Sequence, residues 1–571
     1  MELALIDAIG PFFRDLHQRR INWSKIPFAH IATEGLESDA RWSRIYADFE
    51  TLVQRAASLG YNAITLDDVA HLSDDPWFEP ETRRRNAVFR EEFRELFAIA
   101  QMHGLKVFIT SDFLTTSPAV DARLATGDVS PRDWYRRLVE SFLIDFPEVA
   151  GIILRIGESD GNDVADPLRS RLAVRTARDV RALLNHILPV FEKHQRRLIF
   201  RTWTVGAHLI GDLIWHRERL AQALEGIASP MLVISMKYGE SDFFRYLPLN
   251  KHFFRLNLPT IVEFQARREY EGAGEYPSFV GWDVEQYARE LQGASNLIGF
   301  SVWCQTGGWH GFRRLAFLQP EAFWIELNAM VIARIMQRGD SVESIVTDIA
   351  GQQHAADAIE FLRLADEMVR KILYIEDFAE QKLFFRRVRI PPLLHVFWDC
   401  IFFSDAPRKL LSHLVRDPER ALREGESAFQ SFPRMLELTT RLGWSTDDIE
   451  FMRDTFAILL LARRYYFEPP DPQLQAEILS VKAAYKLRWL RPERQRYRVR
   501  TSFDSLNVNA HTMRWLFALL VRRKRGYRAV LDHLFTLRVL SWAWRLLRSR
   551  NEKALPKLAR KTAMGVDALF R

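Results

Sequence analysis

Cysteine is nearly missing from this 571-residue chain: the two present, Cys304 and Cys400, lie far apart and form no CxxC pair. A disulfide framework is thereby excluded, and with no histidines at ligand spacing so is a structural zinc site. Long apolar runs are missing too. The longest, Phe456–Ala462 and Trp515–Val521, end at arginines, well short of the roughly 20 residues of a membrane span. The first residues carry acids at Glu2 and Asp7 and no apolar stretch with a small-residue cleavage site, so no secretory signal is expected. The expected setting is soluble and cytoplasmic. No glycine-rich turn follows the first predicted strand, where Ile31-Ala32-Thr33-Glu34-Gly35 stands, which argues against a nucleotide-binding open sheet.

What is present is ordinary globular material, 48% hydrophobic and 27% charged, in a chain long enough for two or more domains. The net charge of +7 is uneven. Residues 491–571 hold 20 Lys+Arg against 5 Asp+Glu, which leaves the first 490 residues at −8. Such a tail is read as helix packing with a solvated basic face. Attachment to an anionic membrane surface at the inner face is the alternative, and nucleic acid is disfavoured.

Short apolar runs separated by helical patterns recur at roughly 30 to 45 residues, the spacing of βα units. Eight are predicted as strands: Pro27–Ala32, Asn62–Leu66, Leu105–Thr110, Val149–Arg155, Arg197–Thr202, Met231–Lys237, Thr260–Gln265 and Leu297–Trp303. Between them Trp42–Leu59, Arg83–His103, Pro131–Asp145 and Val174–His194 carry apolar residues at spacings of three and four. The expectation is an α/β fold, a (β/α)₈ TIM barrel over residues 1–332. An all-helical C-terminal region follows, divided into a helical domain at 333–490 and a basic helical tail at 491–571.

A barrel of this kind works at the C-terminal ends of its strands. The fourth, sixth and seventh predicted strands run into acids: Glu158 and Asp160, then Glu240 and Asp242, then Glu269. Paired carboxylates are what glycosidic bond hydrolysis requires, one to protonate the leaving oxygen and one to assist attack. Arg155, Arg201 and Lys237 close strands four to six. They suit a substrate carboxylate, or equally they neutralise the neighbouring acids. Trp203, Tyr238, Tyr270, Trp303 and Trp309 fall at or just after strand ends, where a ring can stack on a sugar.

From about Pro131 to Glu290 the sequence resembles the family 67 glycoside hydrolases, the α-glucuronidases that remove glucuronic or 4-O-methylglucuronic acid from xylan fragments. The resemblance is carried in order by Gly151-Ile152-Ile153-Leu154-Arg155, Phe200-Arg201-Thr202, Lys237-Tyr238-Gly239-Glu240-Ser241-Asp242-Phe243 and Glu263-Phe264-Gln265 through Glu269-Tyr270-Glu271-Gly272. It implies an inverting hydrolase of a terminal uronic acid with no metal or organic cofactor. Asp242 and Glu269 would activate water, Arg155, Arg201 and Lys237 would hold the uronate, and the acid after the fourth strand would donate the proton. Glu158-Ser159-Asp160-Gly161 departs from the family motif, so Glu158 and Asp160 both stay candidates, Glu158 preferred for its reach. A neutral- or amino-sugar hydrolase, or a barrel that binds acidic polysaccharide without turnover, are the competing readings, and self-association is left open.

Overall fold

The computed structural model describes residues 1–504 except 17, 19, 20, 22–24, 159, 161–164, 205–209, 211, 309, 312, 386, 387, 394 and 398, and beyond these 511, 515, 518, 521–523 and 542.

Eight parallel strands close into a barrel. They are β1 Leu3–Asp7, β2 Ala63–Leu66, β3 Lys106–Asp112, β4 Gly151–Arg155, β5 Arg197–Arg201, β6 Leu232–Lys237, β7 Thr260–Gln265 and β8 Leu297–Trp303. The seam closes where β1 pairs in parallel with β8, Leu3 opposite Gly299 and Ile6 opposite Val302. The first strand is therefore Leu3–Asp7 and not Pro27–Ala32, whose Phe28–His30 forms a turn of 3₁₀ helix. Both segments are short and apolar, and only pairing with β8 decides between them. Closure also demands Gly299, because a Cβ there would lie 2.0 Å from the Leu3 carbonyl oxygen.

Strand side chains alternate between the two faces. Leu3, Leu5, Ala63, Phe108, Ile153, Ile199, Val233 and Ile261 fill the barrel interior. Alternate residues such as Ala4, Ile6, Ile64, Ile109, Leu154 and Phe200 pack outward against the helices. Continuing the inward period toward the C-terminal ends reaches Asp7, Asp67, Asp112, Arg155, Arg201, Lys237 and Glu263. An apolar floor thus passes into a charged mouth on the inward face of seven of the eight strands, β8 ending in Trp303 instead.

The expected helices form at Leu36–Ser58, Pro80–Met102, Pro131–Asp145 and Ala177–His194. The last is fixed by a capping box, Thr176 accepting from the Asp179 backbone and Asp179 from that of Thr176. The sixth unit departs from the pattern, since only the 3₁₀ turn Lys251–Phe254 lies between β6 and β7.

After β8 the chain is mainly helical, from Phe323–Arg338 to Pro472–Arg488. Pro433 sits in the first turn of Phe432–Leu442, where its missing N–H is no loss. The region is not wholly helical. Val396–Phe397, Cys400–Ser404 and Arg498–Ser502 form one small sheet, and Phe384–Phe385, Val388–Arg389 and Val521–Arg522 another. Arg498–Ser502 lies in the stretch expected as a helical tail. Its neighbours are spent on ion pairs: Arg494 reaches Glu275 at 2.8 Å, and Asp399 receives Arg491 at 3.2 Å and Arg498 at 2.9 Å. No described helix is long and apolar enough to cross a membrane.

Asp7, at the mouth end of β1, ties the seam. Its carboxylate accepts from the backbone N–H of Cys304 at 2.5 Å, Gln305 at 2.9 Å and Thr306 at 2.6 Å, and from the Thr306 hydroxyl at 2.7 Å. Hydrogen bonds to a buried charge contribute about 1.5–3 kcal/mol each, and orphaned donors add a penalty. Asp7→Ala is expected to destabilise the barrel by about 3 kcal/mol or more, read as a lowered urea midpoint of tryptophan fluorescence.

Candidate active site

The chain leaving β4 enters the mouth through Gly157, where a Cβ would lie 2.4 Å from the Trp203 carbonyl oxygen. Only glycine lets the exits of β4 and β5 pass this closely. Glu158 follows, 4% exposed, and its Oε1 has no hydrogen-bond partner among the described residues. Burial pushes its carboxyl up to about 8; Asp112 adds to the rise, while Arg155, Arg201 and Lys237 oppose it.

Asp160 is differently placed. Its carboxylate accepts from the Ser170 backbone at 2.6 Å and from Lys25 at 3.2 Å, and Lys25 reaches on to Asp112 at 3.0 Å. Of the two open candidates for proton donor, Asp160 is thus committed to holding Arg169–Ser170 and the chain after β1, and Glu158 has an uncommitted oxygen.

Every cation of the expected trio meets a protein carboxylate. Arg155 Nε donates to Asp112 at 2.5 Å. Arg201 makes a two-pronged contact with Glu263 at 3.0 and 2.8 Å and lies 4.7 Å above the Trp303 ring. Lys237 pairs with Asp242, its Nζ 4.1 Å from the Trp203 ring and 4.4 Å from that of Phe243. The neutralising arrangement is what the fold builds.

Asp242 also accepts from Tyr270 Oη at 2.8 Å and from the Phe243 backbone at 2.9 Å. Glu269 accepts from Gln265 Nε2 at 3.1 Å and from the Gly308 backbone at 2.9 Å. Burial and then the neighbouring Asp242 charge push the Glu269 carboxyl up to about 7, with Lys237 opposing. Two carboxylates therefore share one lysine, and Glu158 lies within electrostatic reach of the same lysine.

The aromatics divide. Trp203 and Tyr270 are half-buried, the Tyr270 ring stacked 4.2 Å from Phe244. Trp303 is 4% exposed, its Nε1 donating to Glu263 at 3.3 Å. Tyr238 is no sugar platform: its ring is sandwiched between Phe264 at 5.8 Å and Tyr287 at 4.8 Å and its hydroxyl donates to the Phe244 carbonyl at 2.7 Å. Period two explains this, since Lys237 faces inward and the next residue must face outward. Glu240 is likewise turned toward Arg389, at 3.2 Å. Trp309 lies outside the described residues.

Several charged residues of the mouth escape a search that stops at predicted strand ends: Asp7, Lys25, Asp67, Asp68, His71, Asp112, Asp166, Asp212, Arg267 and Arg313 are all buried or nearly so. Extending the second and third strands by one or two residues would have found Asp67 and Asp112. Burial pushes Asp67 up to about 6 and Asp212 to about 7. His71 stacks on Phe28 at 4.0 Å, with Nδ1 at 3.0 Å from Asp68 and Nε2 at 3.1 Å from Asp166. Asp166 and Asp160 both belong to the segment after β4, so His71 and Lys25 pin the loop that carries Glu158.

No family model matches the chain, and no curated protein does. Among solved structures it is similar to a GH138 enzyme targeting pectin rhamnogalacturonan II, with TM-score 0.48 and 12% identity over 85% of this chain and 61% of that one. It is similar also to a family 89 glycoside hydrolase from Clostridium perfringens, with TM-score 0.42 and 9% identity over 85% of this chain and 53% of that one. A third is a β-mannanase from the blue mussel Mytilus edulis, with TM-score 0.34 and 13% identity over 59% of this chain and 93% of that one. The chain thus spans less than two thirds of the first two. The functional reading rests on the residues of the barrel mouth themselves.

Burial alone would discharge His71, but Asp166 and Asp68 outweigh it and push the imidazole up to about 9. A raised pKa stabilises fully below the unfolded value near 6.5 and loses that contribution as pH rises through about 9, up to roughly 3 kcal/mol. His71→Gln is expected to lower the melting temperature at pH 6 and to remove the decline between pH 7 and 9.5, measured by thermal unfolding across that range.

Proposed function

We propose that this chain is a glycoside hydrolase, acting with inversion on a terminal uronic acid of an oligo- or polysaccharide. The observation that carries the proposal is Glu158: a buried carboxyl with an uncommitted oxygen at the C-terminal end of β4, held protonated near neutrality and electrostatically linked to the Asp242–Lys237–Glu269 group. Glu158 protonates the leaving oxygen, and Asp242 and Glu269 together take the proton of the attacking water. Trp203 and Tyr270 offer ring surface at the mouth. The uronate carboxylate would be received by Lys237, Arg201 and Arg155, sharing them with Asp242, Glu263 and Asp112.

That sharing also favours a second reading. Since all three cations are already engaged, a neutral sugar would meet no uncompensated charge among them. Comparing kcat/KM on aryl glucuronides and aryl glucosides decides: preference for the glucuronide, lost in Lys237→Met, supports the acidic substrate, and equal rates sink it.

Activity requires Glu158 protonated and Glu269 ionised, so it should rise through an apparent value near 7 and fall through one near 8. Glu158→Gln should lower kcat by about 10²–10⁴-fold on glycosides with poor leaving groups. It should also abolish the alkaline limb and spare dinitrophenyl glycosides, whose departure needs no proton. An unchanged pH–rate profile in Glu158→Gln would refute its role as acid.

A further inference from the structure

Two arginines beside Glu269 differ from the other cations of the mouth. Arg267 is fully buried, two residues beyond β7, and among the described residues only one of its nitrogens is used: Nη2 donates to Gln495 Oε1 at 3.1 Å. Its Nε and Nη1 have no hydrogen-bond partner among the described residues. Among the described residues Arg313, 8% exposed, donates only to carbonyls, Nε to His310 at 3.0 Å, Nη2 to Gly308 at 2.7 Å and Nη1 to Gln305. Neither forms an ion pair with a carboxylate among the described residues, whereas Arg201 has Glu263, Arg268 has Glu271 and Arg494 has Glu275. Glu269, Glu275 and Asp7 act on Arg267 from farther off, and burial still pulls it down to about 10. Burial lowers Arg313 as well, and Arg267 repels it.

The pair shares one loop with the candidate base. Gly307 and Gly308 have φ of +110° and +75°. A Cβ on Gly308 would stand 3.2 Å from Arg267 Nη1 and one on Gly307 2.8 Å from Glu269 Oε2. A cavity of about 340 Å³ adjoins, lined by the carboxylates Glu321 and Glu493, by Gln495, the partner of Arg267, by Arg313, and by Arg14, Arg314 and Arg494. The last three are matched by Asp48, Asp448 and Glu275, which leaves Arg313 as the lining arginine with no carboxylate of its own. The volume is within the range of ligand pockets.

We propose that Arg267 and Arg313 form an anion site next to Glu269, reached from this cavity, which takes the carboxylate of a second uronic acid residue of the substrate. A guanidinium with open N–H donors matches a carboxylate oxygen in both hydrogen bonding and charge. The identity of the anion rests on the carbohydrate function proposed above; the site itself does not. Uncompensated buried charge is destabilising, so a protein that retains it here does so against its own stability.

Thermal midpoints measured with oligogalacturonate tetramer, with neutral maltotetraose and with sodium sulfate, all at one ionic strength, test this. The uronate tetramer should raise the wild-type midpoint and maltotetraose should not. Arg267→Met should lose the response while melting at or above the wild-type temperature. Glu158→Gln should keep it, so that failure of hydrolysis and failure of anion binding are read separately. A response to sulfate but not to the tetramer would overturn the sugar assignment, and a full response in Arg267→Met would overturn the site. Should Arg267→Met not fold, Arg313→Gln titrated by tryptophan fluorescence must bind the tetramer at least tenfold more weakly, and unchanged affinity would overturn the proposal.

Discussion

Charges removed from water must be matched inside the protein, and the mouth of this barrel is built around that constraint. Strand alternation delivers Asp67, Asp112, Arg155, Arg201, Lys237 and Glu263 to one inward face, nearly all under 5% exposed. An isolated ion there would cost several kcal/mol. Pairing of opposite charges lowers that cost: Asp112 on β3 meets Arg155 on β4, Arg201 on β5 meets Glu263 on β7, and Lys237 on β6 meets Asp242 just beyond it. The side chains are thereby held in fixed geometry before any ligand arrives, which is the preorganisation a polar reaction needs. Against this matched background the unmatched groups stand out: the Glu158 oxygen and the Arg267 nitrogens.

Much of this was legible in the sequence because it follows from period. Strands two to eight announce themselves as apolar runs between helical patterns, and their last inward residues are those that reach the mouth. Asp242 and Glu269 were found because they stand a few residues beyond strands read with correct ends. Tyr238 was misassigned because a position just after a strand end was taken as facing the site without asking which face the alternation gives it. The misplaced first strand has another cause. Leu3–Asp7 and Pro27–Ala32 are equally plausible as isolated segments, and the choice is made by contact with β8, nearly 300 residues away. Local pattern carries no information about such a contact.

The choice between Glu158 and Asp160 shows where side-chain chemistry runs out. Reach favoured the glutamate, but the structure separates the two on different grounds. Asp160 is bound by Lys25, a residue with no sequence signal at all, and Ser170, whose two-residue strand is far too short to be read from periodicity. The pairing state of a carboxylate depends on residues from three or four distant loops, and pairing state is what distinguishes an acid held for chemistry from one spent on structure. The same holds for the basic tail, where the described arginines 491, 494 and 498 are absorbed by Asp399 and Glu275.

The loop from Cys304 to Arg313 joins these themes. Its start is fixed by Asp7, which gathers three backbone N–H groups and one hydroxyl at the barrel seam. Its middle, Gly307–Gly308, adopts backbone angles that residues with a Cβ rarely accept and gives the Gly308 N–H to Glu269. Its end is gripped by Arg313 through the carbonyls of Gln305, Gly308 and His310. Arg313 thus cross-links the loop with the same guanidinium whose charge it leaves unmatched, and Arg267 approaches from β7 on the Glu269 side. With no Cβ at Gly307 or Gly308, the Gly308 N–H reaches the candidate base while two cations come close. Any side chain at Gly307 or Gly308 would separate Glu269 from the N–H that orients it and fill the space beside Arg267, so the two glycines set the position of the carboxylate and the openness of the arginines together.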